Sequence, residues 1–276
     1  MLLAATCVFC AIFSMTMVIK SDEPVHDESG SENNDNAPAE TPEPPPNDEE
    51  DPTEDLVDDP PPDTTPKKRV AITIDDGPYS KYQQKYVDEM KKYGGAATFF
   101  IVGNRVEWSS STGPGLAYAV ENGWDVGIHA WTHDIYFNSC SDAEYQNEIS
   151  KTAAIIQKYI PGYDIKLLRP PGGSITSARV AASPYAIIQW DVDSNDWKYK
   201  SESADTKQQN IDTIVSNVMA KVQDGSIILL HELYDNSYLA YCEILKLLDE
   251  QGYEFVSVTE LLGDKYQAGK TFYSGR

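Results

Sequence analysis

From Lys67 to the C-terminus, short apolar segments alternate with amphipathic ones, and this alternation is what most limits the possible folds. It predicts seven strands: Val70–Ile74, Ala97–Val102, Trp124–Ile128, Ile165–Leu168, Ala186–Trp190, Ser226–Leu230 and Glu254–Ser257. Strands that alternate with helices are typical of repeated β-α units around a parallel sheet. A folded part of about 200 residues with roughly seven such units fits a parallel barrel or a doubly wound sheet. Either architecture gathers its functional site at the carboxyl ends of the strands.

Two of the intervening helices have clear signals. Ser141 and Glu144 have the spacing of a capping box at the start of a helix. The residues after it place apolar side chains on one helical face: Tyr145, Ile149, Ala153 and Ile156. The same spacing predicts a later helix: Ile211, Val215, Val218 and Val222.

The N-terminal part has a different composition. Residues 21–66 hold 17 Asp or Glu, no Lys or Arg, and 11 of the 17 prolines. Like charges and proline runs cannot form a core, so residues 21–67 are predicted to be a disordered, extended linker. The rest of the chain has 27 acidic and 22 basic residues, a net charge of about −5. Since no basic face remains to neutralise phosphates, a nucleic-acid partner is disfavoured.

Residues 1–19 are almost wholly apolar, and Lys20 is the first charge. Their length approaches that of a helix crossing the hydrocarbon core of about 30 Å. No basic stretch precedes them and no small-x-small cleavage site follows, which favours an uncleaved anchor over a signal peptide. We therefore expect three parts: a signal peptide or membrane anchor at 1–20, the linker at 21–67, and a domain at 68–276 that the linker would hold clear of a membrane.

The segment Val70–Pro78 ends a strand in two adjacent carboxylates, Asp75 and Asp76. Taken alone, Asp-Asp-Gly-Pro is more simply explained as turn chemistry. Two anions at one strand end nevertheless cost free energy unless a cation or hydrogen-bond donors lie beside them. The other strand ends decide between the two interpretations.

Five of the seven predicted strands are followed by groups able to do chemistry. These are Asp75-Asp76, His129 with His133, Arg169 with Pro170-Pro171-Gly172-Gly173, Asp193 with Asp196-Trp197, and His231-Glu232. A single histidine after a strand is more often structural than functional. Three of the four histidines lie at these positions, and this joint placement favours a functional site.

The histidine spacing indicates a metal site. His129 and His133 are four residues apart, so on a helical turn both imidazoles would project from one face. With one carboxylate from Asp75 or Asp76 they make a three-ligand site with open positions, which suits a catalytic Zn²⁺ or a similar divalent ion. The other aspartate is then placed as a general base. His231 would be available as general acid on the opposite wall.

As an ordered set, these motifs resemble the five motifs of the polysaccharide deacetylases with a NodB-like domain, carbohydrate esterase family 4. The resemblance covers residues 68–262. It rests on five segments: Thr73 to Gly77, His129 to His133, Arg169 to Gly172, Asp193 to Trp197, and Leu229 to His231. It implies a distorted (β/α) barrel with fewer than eight units, which agrees with the seven predicted strands.

The resemblance also divides the two aspartates. It implies that Asp75 is the general base, and that the metal ligands are Asp76, His129 and His133. The metal would be Zn²⁺, with Co²⁺ or another transition metal as the alternative.

The remaining roles follow from the same resemblance. His231 would be the general acid with Asp196 as its charge partner. Arg169 would pair with Asp75 as a bidentate donor for its carboxylate. Trp197 and Leu229 would line a small apolar groove for the acetyl methyl. The backbone N–H of Gly172 would stabilise the oxyanion, at a position where many relatives have Tyr.

The implied reaction is hydrolysis of a sugar N-acetyl group to acetate and a free amino sugar. Together with the anchor and the linker, this reaction implies a domain on the extracellular face, membrane-anchored or secreted, in the cell envelope. The first expected substrate is N-acetylglucosamine of peptidoglycan, with chitin oligomers or O-acetyl xylan as alternatives. A non-catalytic carbohydrate-binding relative would not need both Asp75 and His231. A metal phosphoesterase would need more cations than Arg169 supplies. The sequence leaves open the oligomeric state and whether Cys140 and Cys242 are bridged, although an extracellular setting would permit a disulfide.

Overall fold

A computed structural model describes residues 67–200 and 203–276. The expected signal peptide or anchor at 1–20 and the linker up to residue 66 lie outside these residues. Within the described part, no helix has both the length and the apolar character needed to cross a bilayer.

The described residues form nine strands and seven α-helices. The strands are β1 (Lys68–Gly77), β2 (Thr98–Val102), β3 (Asp125–Ala130), β4 (Leu167–Leu168), β5 (Ala186–Ile188), β6 (Val192–Asp193), β7 (Ser226–His231), β8 (Tyr253–Phe255) and β9 (Thr271–Phe272). The helices are α1 (Gln83–Lys91), α2 (Thr112–Glu121), α3 (Asp142–Tyr159), α4 (Ser177–Ala182), α5 (Lys207–Met219), α6 (Asp235–Glu250) and α7 (Val258–Leu262).

The strands pair in the order β6-β7-β1-β2-β3-β4-β5-β9, and β8 also pairs with β1. Each of these pairings is parallel. The sheet is a curled half-barrel with helices, which confirms the expected α/β architecture. All seven predicted strands are present. β6 and β9 were not predicted, because their two residues do not belong to a longer apolar run such as Ile165–Leu168, which marks the equally short β4.

The two faces of the sheet carry different halves of the core. On β2 the neighbours Phe99 and Phe100 are both buried but point to opposite faces. Phe99 packs against Trp124 with ring centroids 4.6 Å apart, in the layer between sheet and helices. Phe100 lies in the smaller cluster inside the half-barrel, where the Arg169 guanidinium lies 4.3 Å from its ring. The inner cluster therefore forms the floor beneath the strand ends.

The predicted capping box of α3 is confirmed. The Ser141 hydroxyl accepts the N–H of Glu144, and the Glu144 carboxylate accepts the N–H of Ser141 at 2.8 Å. The later helix, α5, is shorter than its spacing suggested. It ends at Met219, so the inclusion of Val222 was wrong, because the chain there turns toward Gly225 and enters β7.

Cys140 and Cys242 are both free thiols in the structure and are not joined by a disulfide.

Candidate active site

The carboxyl ends of β1, β3 and β7 open into a cleft of about 560 Å³. Eight of the ten predicted site residues line it: Asp75, Asp76, His129, His133, Gly172, Trp197, Leu229 and His231. The other two, Arg169 and Asp196, are fully buried and hydrogen-bond to lining residues. The parallel topology thus brings together side chains that are up to 156 residues apart in the sequence.

A bulge at the end of β1 explains how adjacent aspartates reach one cleft. In a regular strand Asp75 and Asp76 would point to opposite faces. Here the pairing of β1 with β2 shifts register between Asp75 and Gly77, and Asp76 has a left-handed backbone with φ +69°. Such a conformation costs on the order of 1–3 kcal/mol for a residue other than glycine and persists only where the surroundings hold it.

Two side chains contact the bulged segment. Arg105 donates a hydrogen bond from Nη1 to the carbonyl oxygen of Asp76. Glu232 accepts the N–H of Tyr79 at 2.6 Å through Oε1. A Cβ on Gly77 would lie 1.8 Å from Oε2 of Glu232, so glycine is the residue that leaves room for this carboxyl group. Glu232 is fully buried, and burial raises its pKa to about 8, so it is largely protonated at neutral pH.

Asp76 and two histidines form the candidate metal centre. Asp76 Oδ1 is buried and has no hydrogen-bond partner among the described residues. It lies 3.2 Å from Nε2 of His133 and 3.5 Å from Nε2 of His129. His129 Nδ1 is 2.6 Å from the Arg169 carbonyl oxygen, which can only accept, so Nδ1 carries the proton and a neutral ring presents the Nε2 lone pair to Asp76. Burial lowers the pKa of His129 to about 3, which favours that neutral form.

This arrangement fits a divalent cation. A carboxylate oxygen and an imidazole lone pair face each other as acceptors, and a cation between them would satisfy both. The backbone carbonyl that holds His129 Nδ1 is the usual outer partner of a metal-binding histidine. The three ligand atoms lie within 4.8 Å of one another, and a three-residue set leaves coordination positions open.

The geometry of the histidine pair differs from the expected helical turn. His129 lies on β3, and His133 lies in the turn that follows this strand. Their ring centroids are 5.2 Å apart. A strand end followed by a turn therefore achieves the convergence that the sequence analysis had assigned to helical spacing.

Asp75 is paired with Arg169 in the floor of the cleft. Arg169 donates from Nη1 to Asp75 Oδ1 at 2.9 Å and to the Thr73 hydroxyl at 2.6 Å. Its Nε and Nη2 donate instead to the carbonyl oxygens of Ile188 and Gln189. The expected bidentate pairing was therefore wrong, because backbone carbonyls occupy the other side of the guanidinium. Burial raises the pKa of Asp75, although the positive charge of Arg169 opposes this rise. The raised pKa brings the carboxylate closer to the pKa range of a working base.

His231 is held by a buried carboxylate. Asp196 Oδ1 lies 2.7 Å from His231 Nδ1, and Oδ2 accepts the backbone N–H of His231 at 2.7 Å. The Ser237 hydroxyl and the Trp197 N–H also donate to Asp196. Burial alone would lower the pKa of His231, but the charge and hydrogen bond of Asp196, together with the charges of Asp76 and Asp75, outweigh burial and raise that pKa to about 9. His231 is thus protonated at neutral pH, with Nδ1 engaged by Asp196 and Nε2 left to carry a proton to another molecule.

The remaining predicted residues lie on the walls of the cleft. Trp197 is 47 % exposed, and Leu229 is buried on β7 two residues before His231. Gly172 lies in a turn after β4 with φ +59°. Leu229 and Trp197 both line the cleft that contains His231, so they offer it apolar surface.

Among the residues in or near the cleft to which the sequence analysis assigned no role are Arg105, Tyr136 and Glu232. Glu232 was named beside His231, but its contact with the bulged end of β1 joins residues that are far apart in the sequence. Arg105 comes three residues after the end of β2 and next to Asn104, so the strand-end criterion could have found it. Tyr136 stands three residues after His133, and only the folded chain brings its ring against Gly172.

Comparisons with known proteins find similar sequences. The family model described as polysaccharide deacetylase matches residues 62–186. Over 195 residues the chain is 38 % identical to the peptidoglycan-N-acetylmuramic acid deacetylase PdaC of Bacillus subtilis, which covers 71 % of this chain and 39 % of PdaC. A peptidoglycan-N-acetylglucosamine deacetylase of Bacillus cereus is 32 % identical over 203 residues, covering 72 % of this chain and 91 % of that protein.

Solved structures of similar fold also superpose on this chain. A PdaC structure superposes with a TM-score of 0.62 at 37 % identity, covering 70 % of this chain and 89 % of that one. A family 4 acetyl xylan esterase from Clostridium thermocellum, in complex with a cobalt ion, superposes with a TM-score of 0.64 at 30 % identity, covering 75 % and 98 %. The chain spans about two fifths of the length of PdaC and of the peptidoglycan-N-acetylglucosamine deacetylase PgdA of Listeria monocytogenes, two of the curated relatives that it matches.

Proposed function

Because this chain belongs to the polysaccharide deacetylase family, we propose that it is a metal-dependent hydrolase that removes acetyl groups from an N-acetylated polysaccharide. The observation that carries the proposal is the buried, unpartnered Oδ1 of Asp76 facing the Nε2 atoms of His129 and His133. Support also comes from a base and an acid beside this centre, Asp75 and His231, which a purely carbohydrate-binding protein would not require.

Asp76, His129 and His133 would hold the ion, for which we propose Zn²⁺, since the set is one oxygen and two nitrogen donors. When bound, a divalent ion there would polarise the acetyl carbonyl and increase the acidity of water. A cobalt-containing relative of similar fold makes Co²⁺ the alternative to test.

The protein groups carry the proton transfers. Water adds through its oxygen to the acetyl carbon while Asp75 accepts a proton, and the N–H of Gly172 donates to the developing oxyanion. The C–N bond then breaks, and His231 transfers its Nε2 proton to the departing nitrogen. The products are acetate and a free amino sugar. Arg169 holds Asp75 in place, Asp196 keeps His231 protonated, and Trp197 with Leu229 covers the acetyl methyl.

For the substrate we propose N-acetylglucosamine residues of peptidoglycan. The proposal draws on relatives whose names state action on peptidoglycan, one at N-acetylglucosamine and one at N-acetylmuramic acid. It also draws on residues 1–67. The anchor or signal peptide and the linker that we expect there would place the 68–276 domain in the cell envelope. Chitin oligomers and acetyl xylan are the competing substrates.

The test is acetate release by the purified chain loaded with one equivalent of Zn²⁺. The panel contains peptidoglycan, an N-acetylglucosamine tetramer and acetyl xylan. We expect acetate from the first two, abolished by a chelator and restored by added Zn²⁺. Acetate release from acetyl xylan alone would mean that acetyl xylan, and not peptidoglycan, is the substrate. No release from any member of the panel would refute the proposal and leave a carbohydrate-binding role.

A further inference from the structure

One aromatic ring in the cleft is held rigidly and yet left half exposed. The side chain of Tyr136 is 52 % exposed and lines the cleft together with His133. Its carbonyl oxygen accepts the N–H groups of Ser139 at 3.2 Å and Cys140 at 3.1 Å, which closes a tight turn. The backbone that carries the ring is therefore fixed by its own loop.

The next residue fastens this loop to the body of the domain. Phe137 is fully buried, and its ring packs edge-on against Tyr145 of α3 at 5.1 Å. Its carbonyl oxygen accepts a hydrogen bond from Arg179 of α4 at 2.8 Å. Phe137 also forms a single parallel bridge with Ile175, which joins the loop after β3 to the loop after β4. The exposure of Tyr136 is thus not the result of a loose loop.

The ring lies against a bare stretch of backbone. A Cβ built on Gly172 would lie 3.1 Å from Cε1 and 3.7 Å from Cδ1 of Tyr136. With φ +59°, Gly172 also has a backbone conformation that other residues rarely adopt. The loop after β4 therefore presents no side chain here, and the ring of Tyr136, carried by the loop after β3, supplies the surface that such a side chain would have given.

An aromatic ring in this place suits a sugar. Single exposed apolar residues on a protein surface need no explanation. Tyr136, however, shares its cleft with a second half-exposed ring, Trp197, and with Asp75, Asp76 and His231. A tyrosine has an apolar face and a polar tip, and sugars likewise combine apolar C–H faces with hydroxyl edges. Clefts that bind small polar molecules use such rings, together with a few polar groups, to orient them.

We propose that Tyr136 is a substrate-binding residue whose ring contacts the sugar that carries the acetyl group, at the place left open by Gly172. The inference rests on the proposed function, since it names how that site holds its substrate. Because the ring is neither a proton carrier in the reaction nor a metal ligand, it contributes to binding and not to the chemical step. Its removal is therefore expected to act on KM and not on kcat.

The experiment uses the full chain loaded with Zn²⁺ and the N-acetylglucosamine tetramer. Tyr136→Ala is expected to raise KM by about 2- to 12-fold, the range for the loss of one aromatic contact, with kcat within about 2-fold of the original. Tyr136→Phe keeps the ring face and is expected to stay close to the original KM. Tyr136→Leu keeps apolar volume without the flat face, and it replaces the alanine variant if that variant does not fold. The control is Tyr273→Ala, since Tyr273 is 59 % exposed and does not line this cleft.

Binding separates this inference from the proposed function. In the Asp75→Asn background, calorimetry with the tetramer is expected to show Kd raised about 2- to 12-fold by Tyr136→Ala. If the original chain releases no acetate but this loss of binding is observed, the proposed function fails and the inference stands. If the chain is active and Tyr136→Ala leaves KM and Kd unchanged, or lowers kcat alone, the inference is overturned. Absence of tetramer binding by both chains also overturns it.

Discussion

The substitution Asp196→Asn tests the acid half of the proposed mechanism. His231 has a pKa of about 9 because Asp196 lies 2.7 Å from its Nδ1, while Asp75 and Asp76 also raise that pKa through space. Without the charge and the hydrogen bond of Asp196, burial would lower the pKa of His231 toward its ordinary 6.5. A fall of the pKa from about 9 to 6.5 corresponds to about 3 kcal/mol, and His231 is exposed too little for solvent to screen much of it.

The direction of the pH effect follows from the protonation state in which His231 is active. A general acid acts while protonated, so the rate is present below the His231 pKa and is lost as pH rises through it. With a pKa of about 9 roughly nine tenths of His231 is protonated at pH 8, whereas with 6.5 only about 3 % is, a fall of about 30-fold. The alkaline limb of kcat/KM is therefore expected to move from near pH 9 toward about 6.5. Stability follows the same linkage, because a raised folded-state pKa stabilises most fully below pH 6.5, and that contribution is lost as pH rises through about 9.

Two assays read this shift independently. One is the pH profile of acetate release between pH 5 and 10, and the other is an NMR titration of the imidazoles in the metal-free chain. Ser237→Ala is the matched control, since it removes one hydrogen bond to Asp196 without removing the charge. Metal content should stay the same in both variants. An unchanged alkaline limb and an unchanged His231 titration in folded Asp196→Asn would refute the reasoning.

Three other substitutions test the supports of the cleft. Gly77→Ala places a Cβ 1.8 Å from the buried Glu232 carboxyl, so we expect about 1–3 kcal/mol less unfolding free energy in denaturant titrations, together with weaker metal binding. Arg169→Met leaves Asp75 without its buried partner. It should cost about 3–5 kcal/mol and move the acid limb of the rate to higher pH, because the pKa of Asp75 rises further; an unmoved limb would contradict the assigned pairing. Ser141→Ala removes the helix cap and should cost about 0.5–2 kcal/mol in thermal melts while acetate release is unchanged, so a loss of activity would show that α3 affects the site.

Most of the fold follows from local sequence patterns. Apolar runs such as Val70–Ile74 and Ser226–Leu230 are long enough to be identified as buried parallel strands. The cap at Ser141 is fixed by residues three apart, and it appears in the structure as predicted. The two-residue strands β6 and β9 could not be predicted, because they exist only through pairing with β7 and β5.

The site residues could be identified from the strand ends, but their arrangement in space could not. Nothing in the sequence indicates that Asp76 adopts φ +69°, although this bulge is what brings it to the cleft beside Asp75. The bidentate role expected of Arg169 failed because the carbonyls of Ile188 and Gln189, at the end of the next strand β5, accept hydrogen bonds from its other donors. These are long-range contacts, and periodicity carries no information about them.

The division of labour between the two adjacent aspartates is the central claim, and one paired measurement tests it directly. Asp75→Asn and Asp76→Asn are compared for bound Zn²⁺ by elemental analysis and for acetate release from the N-acetylglucosamine tetramer. Asp75→Asn is expected to keep one equivalent of metal and lose about 100-fold or more in kcat, while Asp76→Asn loses metal and activity together. Loss of metal in Asp75→Asn with retention in Asp76→Asn would contradict the account.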